Sequence, residues 1–126
     1  MEFTHFDTQG NAWMVDVGEK EDTRREAVAR GSIFLSPECF DMVARGEMKK
    51  GDVLSVARIA GIMGAKKTSE LIPLCHILNL TKLTVDFEMN KESNEIQAVC
   101  AARVTGKTGV EMEALTGVST ALLTIY

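Results

Sequence analysis

Basic side chains are in the minority in this sequence: 14 Lys and Arg stand against 18 Asp and Glu, for a net charge of -4. That excludes a general nucleic-acid binder, which carries a basic surplus. It still leaves room for a small local basic pocket. Cysteine is scarce and odd in number. Cys39, Cys75 and Cys100 lie far apart, which excludes a disulfide framework and fits a reducing compartment. No pair has zinc-finger spacing. Long hydrophobic runs are missing too. The longest apolar-rich stretch, Val53 to Ala65, is too short to span a bilayer and carries Arg58. The N-terminal residues show neither the basic n-region nor the apolar h-region of a secretory signal. A cytoplasmic location with no membrane partner is expected. No internal repeat, low-complexity tract or linker interrupts the chain.

What is present fits one domain of 126 residues, long enough to bury a core without staples. Ala12 to Val17 is a short apolar segment ending at Gly18, read as an edge strand or an arm. Glu19 to Arg25 is charged and reads as a loop. Ala27 to Leu35 alternates and reads as a strand. One of the two prolines, Pro37, follows Ser36 and precedes Glu38. A hydroxyl N-cap, a proline at the first helical position and an acid in the first turn start a helix, which Gly46 closes. Asp52 caps a second helix over Val53 to Lys66. Val53, Ala57, Ala60, Gly61 and Gly64 form a small-residue stripe that lets another backbone approach. Val56, Ile59, Ile62 and Met63 cover another face. A helix apolar nearly all round is buried nearly all round, so one side is expected to meet a sheet and the other a second subunit.

Leu83, Val85, Phe87 and Met89 alternate with polar residues, as do Ile96, Ala98, Cys100, Ala102 and Val104 after the turn Asn90 to Asn94. This spacing predicts an antiparallel hairpin with one wet and one dry face. From Glu111 or Met112, Leu115, Val118, Ser119 and Leu122 repeat at helical spacing. That pattern is still running at Tyr126, so more protein is expected to follow. The order strand, helix, helix, strand, strand, helix gives an α+β layer architecture.

Chemistry concentrates at two junctions. The run Lys66-Lys67-Thr68-Ser69-Glu70-Leu71-Ile72-Pro73-Leu74-Cys75-His76 leaves the small-residue helix, turns at the second proline and delivers the one interior histidine. An imidazole there reads either as a hydrogen-bonded core group or as a proton carrier near neutral pH. Cys75 reads as a small buried hydrophobe rather than a nucleophile. The second junction is Thr105-Gly106-Lys107-Thr108-Gly109-Val110-Glu111-Met112-Glu113. In extended backbone, Glu111 and Glu113 share a face; in a helix they point apart. They read either as a paired-carboxylate acid/base site or as acids satisfying a helix dipole. Lys49, Lys50, Lys66, Lys67 and Lys107 are solvated lysines or point charges for phosphate. Ala101 to Thr108 also fits a relaxed phosphate-loop pattern, but it has one glycine and completes an antiparallel strand, which such a loop does not follow.

These strings together resemble the cyclic pyranopterin monophosphate synthase family of molybdenum-cofactor biosynthesis, the MoaC-like proteins. The matching motifs are Met14-Val15-Asp16-Val17, Lys50-Gly51-Asp52-Val53, Ala57 to Ile62, Ala65 to Thr68, Leu71 to His76, Val104 to Thr116 and Leu123 to Tyr126. They are ungapped, in order, and cover nearly the whole chain. Ile77 stands where the family usually has proline after the histidine, which removes no reactive group. The family pattern continues past Tyr126 with an aspartate, a lysine three residues later and another in a glycine-rich tail.

The resemblance implies a ferredoxin-like α+β fold, with a single MoaC-like domain over residues 1–126 lacking that C-terminal segment. It implies a homo-hexamer built as a trimer of dimers, with the site at a subunit interface. It implies Lys50, His76, Glu111 and Glu113 as active-site residues. Leu74, Cys75, His76, Met112 and Glu113 would contact substrate, with Lys66 and Arg25 on the triphosphate. The implied reaction turns a cyclised dihydro-GTP, supplied by a radical-SAM enzyme, into cyclic pyranopterin monophosphate and pyrophosphate. No resident metal is demanded; magnesium would arrive with the triphosphate. Two rivals are an oligomeric module that senses the nucleotide without turning it over, and a phosphate-loop hydrolase acting on ordinary GTP or ATP.

Overall fold

The computed structural model describes residues 6–19, 21–46 and 52–126. Its elements run β1 (Thr23–Phe34), α1 (Pro37–Ala44), α2 (Val53–Lys66), α3 (Thr68–Leu71), β2 (Leu80–Asn90), β3 (Glu95–Gly106) and α4 (Glu111–Ile125). The strands form a three-stranded antiparallel sheet in the order β1-β3-β2. The protein is therefore α+β, with helices gathered on one face of the sheet.

Period-two patterning places β3 at the centre. Ile96, Ala98, Cys100, Ala102 and Val104 are all buried, and the intervening residues are less so. Register aligns Ala29 with Cys100 and Cys100 with Val85, so a row of small apolar side chains crosses the sheet beneath the helices. The hairpin turn uses Asn94 at φ 53°, a left-handed conformation that asparagine tolerates better than most residues. β1 begins at Thr23, inside the charged segment read from sequence as a loop. Its first residues pair with the end of β3, Thr23 with Gly106 and Arg25 with Val104, so tertiary pairing overrides the charge.

The helix starts follow their local signals. Ser36 Oγ accepts from the Cys39 amide ahead of Pro37, and Asp52 Oδ1 accepts from the Ser55 amide. Gly46 ends the α1 segment at φ 69°. α2 packs against β2 and α4, while α4 lies across β1 and β3. Close approach of the two helices rests on glycine. A Cβ on Gly61 would sit 2.9 Å from the Gly117 carbonyl oxygen, and one on Gly117 would sit 3.3 Å from the Gly61 carbonyl oxygen and, toward the sheet, 2.6 Å from Cys100 Sγ. Burial there pushes the Cys100 thiol up to about 11, so it stays protonated and inert.

A main apolar cluster lies between the sheet and α2/α4, and a second, around Phe40, Val43, Val53, Ala57, Ile96 and Ile125, seats α1. The stripe of α2 that faces inward is Val53, Ala57, Gly61 and Ala65. Ile62 also turns toward the main cluster. Val56, Ile59 and Met63 stay exposed, Ile59 at 60%. Within one protomer α2 is thus covered on one side and bare on the other. No helix among the described residues is long and apolar enough to cross a membrane.

Candidate active site

The chain leaves α2 through the short helix α3. There Thr68 is buried and its hydroxyl donates to the Ala65 carbonyl at 2.8 Å. Ile72 and Pro73 then turn the backbone, with the Cys75 amide donating to the Ile72 carbonyl at 3.2 Å. This loop brings Leu74, Cys75 and His76 to face the loop between β3 and α4. The two loops enclose a cleft of about 230 Å3 whose walls include Leu74, Cys75, His76, Glu111, Met112 and Glu113. Six residues singled out from sequence therefore converge on one cavity.

The carboxylates reach it by a route the sequence argument did not foresee. α4 starts at Glu111, so both glutamates lie in its first turn rather than in extended backbone. The cleft sits at the end of the helix, where residues on different faces of the first turn can both reach it. Glu111 is exposed, and its carboxylate folds back over Gly109, where any Cβ would collide with it. Glu113 is buried, with 5% of its surface exposed. Burial raises its carboxyl above the ordinary carboxylate range, and the neighbouring Glu111 charge adds to the effect, against the lowering influence of its own backbone amide. The pair thus combines a solvated carboxylate with one biased toward holding its proton. Burial, and secondarily the Glu113 charge, also raises the Cys75 thiol. A thiol held protonated is a poor nucleophile.

His76 is half-buried and its Nε2 lies 2.7 Å from the Val15 carbonyl oxygen. A carbonyl oxygen only accepts, so Nε2 carries the hydrogen and donates. Nδ1 is then the ring nitrogen left to exchange a proton with a ligand.

A second groove of about 260 Å3 shares Val17, His76, Leu78 and Thr108 with the cleft and extends along Thr105, Gly106 and Lys107. The remaining candidates lie apart from the cleft walls. Arg25 is half-buried on β1, and its Nε donates to the Gly106 carbonyl at 3.4 Å. Lys66 is exposed at the C-terminal end of α2. Lys49 and Lys50 lie outside the described residues. Sequence reasoning missed the contribution of Val15 and Val17, which line the cleft from an arm preceding β1. Their signal was the Met14-Val15-Asp16-Val17 motif, for which the residues alone gave no chemistry.

An α+β scaffold here gathers an imidazole, a shielded carboxyl and a solvated carboxylate around one cleft, groups able to exchange protons with a bound ligand. Residues 14–126 match the MoaC family, and the chain belongs to that family. Cyclic pyranopterin monophosphate synthase of Clostridium botulinum is 59% identical over 124 residues, covering 98% of this chain and 78% of the relative. The synthase of Peptoclostridium acidaminophilum is 56% identical over the whole chain and 79% of its own length. That of Chloroflexus aurantiacus is 56% identical over 99% of the chain and 77% of its own length.

Proposed function

We propose that this protein is a cyclic pyranopterin monophosphate synthase of molybdenum-cofactor biosynthesis. It converts 3',8-cyclo-7,8-dihydro-GTP into cyclic pyranopterin monophosphate and releases pyrophosphate. The observation that carries this reading is the convergence of His76, Glu111 and Glu113 on one cleft in a chain of this family.

The residue roles follow from the chemistry. Closing the cyclic phosphate means that a substrate hydroxyl attacks the α-phosphorus while pyrophosphate leaves. A base takes the hydroxyl proton, and cations stabilise charge on the departing oxygens. Rearranging the purine-derived rings adds further proton transfers. His76 through Nδ1, Glu111 as base and Glu113 as acid share them. Leu74, Cys75 and Met112 wall the rings. Lys50, Lys66 and Arg25 bind the triphosphate by charge-assisted hydrogen bonds, with any magnesium carried by the triphosphate rather than by a protein ligand set.

The order β1-β3-β2 supports a ferredoxin-like arrangement within a single MoaC-like domain. The bare apolar face of Val56, Ile59 and Met63 supports assembly into the homo-hexamer, a trimer of dimers. The site would then lie beside a subunit contact, in the cytoplasm, downstream of a radical-SAM enzyme that supplies the substrate.

The test is pyrophosphate release from the cyclised nucleotide by the full-length protein. Release supports the synthase. Binding without release identifies a nucleotide sensor and overturns it. The phosphate-loop rival fails on topology, because β3 is antiparallel to both of its neighbours.

A further inference from the structure

The arm at 15–18 is held against the cleft by side chains from both of its loops. Val15 and Val17 line the cavity, and between them Asp16 turns away so that its Oδ1 accepts from the Gly18 amide at 2.9 Å. At one end of the arm the Val15 carbonyl accepts the His76 Nε2 hydrogen at 2.7 Å. At the other end the Gly18 carbonyl accepts from Lys107 Nζ at 3.2 Å. Lys107 stands on a braced base. Gly106 beside it is the last residue of β3, paired with Thr23, and its carbonyl also accepts from Arg25 Nε at 3.4 Å.

We propose that Lys107 is a positioning residue: its ammonium clamps the Gly18 carbonyl, and the clamped arm in turn fixes the His76 ring with Nε2 occupied and Nδ1 free for substrate. Two features separate this role from that of a solvated lysine. The acceptor is a backbone carbonyl on a segment with little regular structure of its own, so the bond orders chain that no sheet or helix orders. The same short arm supplies two cleft-lining side chains and the histidine's partner, so freeing one end loosens both the wall and the ring. Proton transfer falls off steeply when the reacting groups are misplaced by about 1 Å. The role of the clamp rests on the synthase reading, but the clamp itself is measurable without substrate.

Trp13, the single tryptophan, lies two residues before the arm and is 46% exposed, which makes it a built-in reporter. In the ligand-free protein, Lys107→Met is expected to raise acrylamide quenching of Trp13 about twofold, from half-covered to open. Lys107→Arg, which keeps a donor for the carbonyl, is expected to stay at the wild-type value. Unchanged quenching in a folded Lys107→Met protein overturns the proposal.

A measurement on the unmodified protein stands if that variant does not fold. Nitrogen NMR of the neutral His76 ring is expected to show the hydrogen on Nε2, and a ring with its hydrogen on Nδ1 overturns the proposal. In turnover, Lys107→Met is expected to lower kcat by about 10²-fold as the His76 ring loses its position. Lys107→Arg should restore most of it. A loss of kcat with Trp13 quenching unmoved makes Lys107 a reacting group and overturns its role as a clamp. None of the ligand-free results depends on pyrophosphate release, so the clamp and the synthase reading fail separately.

Discussion

Glu113 shows what a buried carboxyl at the cleft costs the fold. Its carboxyl sits above the ordinary 4.5 because burial, and then Glu111, disfavour the charged form. Over the window between 4.5 and the raised native value, the folded protein keeps a proton that the unfolded chain has released. Stability therefore falls as pH rises through that window and levels off above it. Replacing Glu113 by Gln removes this dependence. Urea midpoints measured across the window are expected to decline for wild type and to decline less for Glu113→Gln. Parallel profiles would mean that the group is not perturbed in this way. Of the site residues, His76 was legible because a histidine after a proline turn is conspicuous among the apolar residues on either side of it. The state of its ring was not legible, since that depends on a carbonyl supplied by Val15, 61 positions away. The shared cleft of Glu111 and Glu113 was legible as a possibility only, because the argument from residue spacing assumed strand geometry. The first turn of a helix viewed end-on offers a different geometry.

Elements were read best where their signals are local. Ser36 with Pro37, Asp52 and the alternating hairpin residues each act within a few positions, and each stands where the sequence placed it. The N-terminal part of β1 was missed because Thr23 to Arg25 form a strand only by pairing with the far end of β3. The short helix α3 was missed for a similar reason, since it has no side-chain cap and is anchored through buried Thr68. The α2–α4 contact makes a sharp test at this scale. Gly61→Ala gains about 1 kcal/mol of helix propensity. The new Cβ would meet the Gly117 carbonyl at 2.9 Å, Val85 Cγ2 at 3.1 Å and Ala121 Cβ at 3.2 Å. Overpacking of this kind costs about 1–3 kcal/mol, and a backbone oxygen cannot swing aside. A net loss of about 1 kcal/mol is expected in denaturant unfolding. An unchanged or higher stability would show that the helices have slack.

At the scale of the whole molecule, layers and cleft are products of the same packing. β3 supplies the central strand of the sheet and then feeds the acidic first turn of α4 directly into the site. α2 presents its small residues to α4 and leaves Val56, Ile59 and Met63 uncovered. If that face joins protomers, Ile59→Lys desolvates a charge at the contact and is expected to reduce the assembly's mass in light scattering, with the fold retained by circular dichroism. An unchanged mass would move the contact elsewhere. We propose that the buried carboxyl at position 113 exchanges a proton with the cyclised nucleotide. The most direct test of this exchange is the rate of pyrophosphate release at saturating substrate, where binding no longer limits the reaction, compared between the full-length wild type and Glu113→Gln. A fall of about 10²–10⁴-fold is the expected result for loss of an acid/base group, and a rate equal to that of the wild type would contradict it.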